Sequence, residues 1–156
     1  MKSLALFLLL FIPSLVSFGQ TPIYFHINSH NEEGSPDPNY SDSATYMIYR
    51  EFARIIGDTI AANGGKWNFQ TDWRFVAGAL KYDHGTPSTQ SQNLLKWLYE
   101  NRGVEIDAHH HTGSGISPYN YADVAHLIDS LGVPSSKNVG GFEWQDTTWH
   151  VYERGL

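Results

Sequence analysis

The sequence predicts an α/β fold of the (β/α)-barrel type, built from parallel strands, in which only the first half of the barrel is present. Strand-like and helix-like patterns alternate along the chain, and the predicted strands begin near residues 23, 67, 104 and 138. That spacing, about 35 to 45 residues, is what repeated strand–helix units around a parallel sheet require. Along each strand, the side chains of one face are apolar and those of the other face are polar, which we call the apolar and polar parity. This pattern favours a barrel with a polar mouth over an open sheet covered by helices on both faces.

The N-terminal segment, residues 1–19, is typical of a secretory signal peptide. An apolar run, Leu4–Ile12, is followed by the small residues Ser17 and Gly19 at the positions that signal peptidases favour. The run is short for a membrane span. We therefore expect a secreted or periplasmic protein without stable membrane insertion after cleavage. Residues 20–156 are then expected to form the N-terminal part of a barrel catalytic domain, as a fragment of a longer protein.

The composition narrows the function classes. The chain has 16 acidic and 10 basic residues and a formal net charge of −6, which argues against a nucleic-acid partner. It contains no cysteine, so any metal ion must be held by His, Asp or Glu. Histidine, tryptophan and tyrosine are plentiful, which suits an exported protein that binds a polar, ring-shaped ligand such as a sugar. The composition leaves the oligomeric state open.

The first predicted unit is a strand over Ile23–His30 followed by a helix. Ser41 and Asp42 are suited to cap this helix, and Asn63 with the two following glycines is suited to end it. Its apolar residues recur at intervals of three and four, at Ile48, Phe52, Ile55, Ile56 and Ile60.

The second unit is a predicted strand over Trp67–Trp73 and a helix over Thr89–Asn101 that ends at Gly103. We expect three of the helix residues to point inward, namely Leu94, Leu95 and Leu98. The third strand is predicted over Val104–His111.

The last predicted elements are a helix and a fourth strand. Asn120, with Asp123 three residues later, marks the helix start, and Gly132 and Pro134 mark its end. The buried stripe of this helix is predicted at Val124, Leu127, Ile128 and Leu131. The fourth strand is predicted over Asn138–Trp144.

The third strand carries the clearest chemical signal, three consecutive histidines. Because side chains alternate along a strand, one face carries Glu105, Asp107, His109 and His111, whereas the other carries Val104, Ile106, Ala108 and His110. Such a polar row is costly to bury unless its members are paired or bind a cation. A His-x-His pair at the end of a strand can hold zinc through two neutral nitrogens. We therefore predict that His109 and His111 bind a metal ion and that His110 is a packing residue.

Other polar residues are predicted at the same end of the strands. His30 is the third candidate ligand for a divalent transition metal such as zinc, which would lower the pKa of water from about 16 toward 7. Glu32 is the first candidate for the general base, and Asp72 and Asp107 are further candidates. Asp107, one layer deeper, could instead orient His109. The candidates for substrate binding are Trp73, Trp144 and Glu143.

Two segments carry a recognisable order of residues, namely His30-Asn31-Glu32-Glu33-Gly34 after the first strand and Arg102–His111 with its glycine, acidic, apolar and histidine residues. Both resemble motifs of the polysaccharide deacetylase (NodB-like) superfamily. The chain departs from that family where paired aspartates are replaced by Asn31, Glu32 and Glu33, and where Gly113 stands four residues after His109. The resemblance implies an irregular strand–helix barrel and a metal-dependent enzyme that removes acyl groups from an amino sugar or an esterified glycan.

Three functions therefore remain open from the sequence. The leading hypothesis is a secreted metal-dependent hydrolase, namely a carbohydrate deacetylase. The first alternative is a glycoside hydrolase that uses two carboxylates and no metal, with Glu143 as one of them. The second is a non-catalytic glycan-binding or surface protein, in which a degenerate barrel keeps the aromatic residues of its mouth but holds no metal ion.

Overall fold

The computed structural model describes residues 24–31, 40–109, 119–134 and 136. These residues form three strands, four α-helices and a short 3₁₀ helix at Pro87–Thr89. The strands are β1 (His26–Asn31), β2 (Lys66–Thr71) and β3 (Glu105–Ala108). The helices are α1 (Ser43–Ala62), α2 (Trp73–Tyr82), α3 (Leu94–Arg102) and α4 (Tyr121–Ser130).

The three strands form one parallel sheet in the order β1-β2-β3. Neighbours in the sheet are also neighbours in the strand sequence, with helices between them, as the repeated strand–helix pattern predicts. The predicted mixed α/β class and the parallel pairing are confirmed. Three strands do not close a barrel, and the predicted fourth strand lies outside the described residues.

One face of the sheet packs against helices. The apolar parity of the central strand, Trp67 and Phe69, is buried together with Ile106 of β3. The Phe69 ring lies 5.7 Å from the Phe75 ring of α2, and the Trp67 indole N–H donates to Ser29 Oγ on the same face at 2.8 Å. The helices therefore pack against the apolar residues of β2, as predicted, and the polar residues of β2 lie on the opposite face of the sheet.

The first helix begins and ends close to its predicted limits. Asp42 is the N-cap and accepts a hydrogen bond from the Thr45 backbone N–H at 2.8 Å, and Asn63 is the C-cap. Its orientation differs from what the apolar spacing suggests. The residues it buries are Tyr46, Arg50, Ala53 and Gly57. Four of the regularly spaced apolar residues are instead exposed, namely Ile48, Phe52, Ile55 and Ile56.

The reason for this orientation is close contact between helices. A Cβ atom at Gly57 would overlap the Leu98 side chain of α3, so only a glycine permits this approach of the two helices. The second cause is a polar network inside the core. Arg50 Nε donates to Asp83 Oδ2 at 2.8 Å, and both side chains are fully buried. These two contacts require the Arg50–Gly57 side of α1 to face inward.

Asp83 is the centre of that network. Besides Arg50, its Oδ2 atom accepts from the Leu94 backbone N–H at 2.8 Å and from the Tyr46 hydroxyl at 3.2 Å. Burial, together with the neighbouring Asp83 carboxylate, raises the pKa of Tyr46 far above its ordinary value. The phenol therefore stays protonated and acts as a donor. The network links α1, the segment after α2 and the start of α3.

The predicted strand over Trp67–Trp73 is wrong at its carboxyl end. The strand ends at Thr71, and Asp72 caps a helix, α2, which the sequence analysis missed. Asp72 Oδ1 accepts from the backbone N–H groups of Arg74 and Phe75, each at 3.1 Å. Aspartate is a favoured N-cap, and the spacing of the buried Phe75, Val76 and Ala79 gives the helix its inner face.

The third helix also begins later than predicted. Its N-cap is Asn93, whose Oδ1 accepts from the Lys96 backbone N–H at 2.9 Å, whereas Thr89 belongs to the 3₁₀ helix. Gly103 ends the helix in the left-handed conformation, at φ 63°. Its three predicted core leucines are fully buried: Leu94, Leu95 and Leu98.

The fourth helix agrees closely with the sequence. Asn120 and Asp123 form a capping box, because each side chain accepts from the other residue's backbone N–H. Three of its predicted core residues are buried, namely Val124, Ile128 and Leu131, and Leu127 packs against them. Within the described ranges, none of the helices combines the length and apolar character needed to cross a membrane.

Candidate functional site

Two predicted metal ligands lie close together at the carboxyl end of the sheet. The imidazole rings of His30 and His109 have centroids 4.4 Å apart and are tilted by 39°. His30 is in β1 and is exposed, whereas His109 follows β3 and is fully buried. The His109 backbone N–H donates to the Thr71 carbonyl at 2.8 Å, which extends the β3 ladder by one residue. The parallel sheet therefore brings both histidines to one edge, as expected for adjacent units of a β/α repeat.

Asp72 lies at the same edge, directly after β2. Thr71 is the register partner of Ala108, so Asp72 and His109 are the next residues of these two segments at the carboxyl end of the sheet. The Asp72 side chain is 8% exposed, and its Oδ1 atom is held by the two backbone N–H groups that it caps. One residue thus both begins α2 and fixes a carboxylate at the candidate site.

Asp107 has a different contact from the expected one. Its Oδ2 atom accepts a hydrogen bond from Asn68 Nδ2 at 2.6 Å, and its Oδ1 atom has no partner among the described residues. The expected contact from Asp107 to His109 is not formed. Side chains two residues apart on a strand stand parallel, about 6.6 Å apart, whereas a neighbouring strand is only about 4.8 Å away. The hydrogen bond crosses to the neighbouring strand β2, where Asn68 lies diagonally opposite and Gln70 is the direct register partner of Asp107.

Trp73, a predicted substrate-binding residue, is the first residue of α2 rather than part of a strand. Its ring packs against Tyr119 with centroids 4.9 Å apart, and the Arg74 guanidinium lies 5.3 Å from the Trp73 ring centroid. Trp73 also lines a cleft of about 270 Å³ between the start of α1 and α2. Other residues lining this cleft are Tyr40, Arg74, Gly78, Lys81 and Tyr82.

Four predicted site residues lie outside the described residues: Glu32, His111, Glu143 and Trp144. His110, predicted to be a packing residue, is also outside them. Within the described part of the chain, no group of three or more His, Asp or Glu side chains is arranged to hold a metal ion. The described candidates are thus two imidazoles, His30 and His109, and the carboxylate of Asp72 at the same end of the sheet.

No protein-family model, curated protein or solved structure matches the chain.

Sequence reasoning missed two polar residues of the same face, Asn68 and Gln70. They are 4% and 9% exposed, and the side-chain oxygen of each has no hydrogen-bond partner among the described residues. Gln70 is the register partner of both His30 and Asp107, so it lies between the two outer strands. The signal for both was present in the polar parity of β2, but amides in a strand do not by themselves indicate chemistry.

Proposed function

We propose that this protein is a secreted metal-dependent hydrolase that removes acyl groups from a carbohydrate. The observation that supports this proposal is the approach of His30 and His109, whose ring centroids are 4.4 Å apart at the carboxyl end of a parallel sheet. In β/α folds this end carries the catalytic residues, and imidazole is a preferred ligand of zinc and related ions.

The donor set is chemically suited to a zinc-like ion. His30 and His109 supply two nitrogen donors, and we propose His111 as the third, because strand alternation gives it the same parity as His109. Three protein ligands and an open position are typical of catalytic zinc sites. Such an ion would supply Lewis acidity and lower the pKa of a water molecule to about 7.

Two carboxylates that follow the first two strands are candidates for proton transfer at this site. Asp72 is held rigidly by the backbone N–H groups of Arg74 and Phe75, so its orientation does not depend on a bound substrate. We propose Asp72 as the general base within the described residues, with Glu32 as the other candidate. Trp73 and Tyr119, which pack together near this edge, offer aromatic surface for a sugar ring.

The test combines metal analysis with an assay for acetate release. The purified chain is expected to contain zinc or a similar metal and to release acetate from acetylated chito-oligosaccharides or acetylated xylan. EDTA should abolish the activity, and adding back zinc or cobalt should restore it. His30→Ala and His109→Ala should each lose metal and activity. His126→Ala, a change at an exposed histidine of α4, is the matched control and should retain both.

Two other results would contradict the proposal and identify an alternative. Glycan hydrolysis that survives EDTA and both histidine substitutions would favour a glycoside hydrolase that uses two carboxylates. Glycan binding without turnover, unchanged in His30→Ala and His109→Ala, would favour a binding protein.

A further inference from the structure

Below the histidine pair, the polar face of the sheet contains three buried oxygen atoms that accept no hydrogen bond from the described residues. They are Asn68 Oδ1, Gln70 Oε1 and Asp107 Oδ1. The three residues are 4%, 9% and 4% exposed. A buried acceptor without a donor destabilises the fold, so each of these atoms requires a partner.

The sheet register places the three side chains on one surface. Gln70 and Asp107 are partners on adjacent strands, and Asn68 precedes Gln70 by two residues on the same face of β2. The hydrogen bond from Asn68 Nδ2 to Asp107 Oδ2, 2.6 Å long, sets the orientation of the Asn68 amide. With its nitrogen turned to the carboxylate, the atom left without a partner is the carbonyl oxygen.

The charge of this surface favours a cation over a neutral ligand. Asp107 is a buried carboxylate, and Glu105 lies two residues before it on the same face. Among the described residues, Lys66 supplies a basic group on this face, but it lies at the amino end of β2 and is exposed. On this face, the buried atoms without a partner among the described residues are oxygens, one from a carboxylate and two from amide carbonyls.

We propose that Asn68, Gln70 and Asp107 bind a hard cation of the Ca²⁺ or Mg²⁺ class beneath the histidine pair. These ions take carboxylate and amide oxygens as ligands, whereas imidazole suits zinc and other transition metals. The oxygen site is therefore chemically distinct from the histidine site of the proposed function, and it does not depend on that function. The cation would neutralise Asp107 and give the two amide oxygens a partner.

The experiment is a calorimetric titration of the EDTA-treated and dialysed full chain with CaCl₂ and, separately, with MgCl₂ at constant ionic strength. We expect saturable one-to-one binding of at least one ion, with a dissociation constant below about 1 mM, and a rise in the thermal unfolding midpoint. The ion that binds more tightly identifies the native class. Asp107→Asn and Gln70→Met, which nearly preserve side-chain shape, should each weaken binding at least tenfold. Glu100→Gln, which removes an exposed carboxylate of α3, should not change it.

A His30→Ala/His109→Ala variant separates this site from the histidine site. It should retain the response to CaCl₂ or MgCl₂, whatever happens to zinc binding. Folding of each variant is checked by circular dichroism and by its unfolding midpoint without added ion. The proposal is overturned if neither ion binds saturably to the parent chain. It is also overturned if binding is undiminished in both Asp107→Asn and Gln70→Met.

Discussion

His30 and His109 bring their ring centroids to within 4.4 Å of each other although β2 separates their strands. Two imidazoles this close would share one bound ion. We predict that His30→Ala and His109→Ala each weaken zinc binding at least about 100-fold, and that the double variant is hardly worse than either. Competition with a chromogenic chelator measures these affinities. Additive losses would mean that the two histidines bind independently.

Asp72 has two roles that substitution can separate. Asparagine is as good an N-cap as aspartate, so Asp72→Asn should preserve the start of α2 and the unfolding midpoint. Removing a general base should lower the turnover rate roughly 100- to 10,000-fold. Asp72→Ala should lower both activity and stability. The measurements are acetate release and denaturant unfolding. Full activity in Asp72→Asn would exclude Asp72 as the base and favour Glu32.

The Arg50–Asp83 ion pair is expected to be essential for stability because both side chains are fully buried. Asp83→Ala leaves the Arg50 guanidinium buried without its anion and should lower the free energy of unfolding by about 3–5 kcal/mol. Urea unfolding at neutral pH measures this loss. Glu100→Gln, on the exposed side of α3, should change it by less than about 0.5 kcal/mol. If Asp83→Ala lowered the free energy of unfolding as little as Glu100→Gln does, the result would contradict a stabilising role of the buried network.

The exposed apolar side of α1 gives a test of the helix orientation. Ile55 is 47% exposed, so Ile55→Lys should change the free energy of unfolding by no more than about 0.5 kcal/mol. Ala53 is 7% exposed and faces the core, so Ala53→Leu should cost about 1–3 kcal/mol through overpacking. Denaturant unfolding of both variants measures these changes in the free energy of unfolding. A larger loss of stability in Ile55→Lys than in Ala53→Leu would mean that the isoleucine side faces the core.

Asp42 should make the stability of α1 depend on pH. Hydrogen bonds from the Thr45 backbone N–H and hydroxyl hold the pKa of Asp42 below its ordinary value of 3.8. Because the pKa of Asp42 is lower in the folded state, its ionised carboxylate stabilises the fold above the unfolded-state pKa. This stabilisation is lost as the pH falls through the folded-state pKa. Asp42→Asn keeps the cap but cannot ionise. The difference between the two proteins in thermal unfolding midpoint should therefore change as the pH falls through the unfolded-state pKa and then the lower folded-state pKa, and be constant near neutral pH.

Local rules account for much of the fold. The N-caps Asp42 and Asn120 and the left-handed C-cap Gly103 stand where the sequence predicts them, because capping depends on a few adjacent backbone groups. The missed helix α2 is also a local matter. The alternation of the strand continues through Asp72 to Trp73, so the pattern predicts a strand at a residue that is also suited to begin a helix.

The candidate site was predictable only in part. Strand alternation predicts His30 and His109 at the carboxyl ends of their strands, and the parallel sheet brings the two there, whereas Asp72 follows its strand as the N-cap of α2. The partner of Asp107 was not predictable, because it depends on the register between β2 and β3, and register is a property of strand pairing. The same holds for the oxygens of Asn68 and Gln70, whose burial without partners is visible only in the assembled sheet.

The sequence by itself determined the alternation of strands and helices, the helix caps and the parity that separates polar from apolar side chains, because each depends on neighbours along the chain. Only the tertiary structure decided which side of α1 is buried. Its isoleucine side and its Tyr46–Gly57 side both have helical spacing. The second side is buried because Leu98 packs closely against Gly57 and because Arg50 forms an ion pair with Asp83. The distance between His30 and His109 was decided in the same way, since it is set by the packing of three strands.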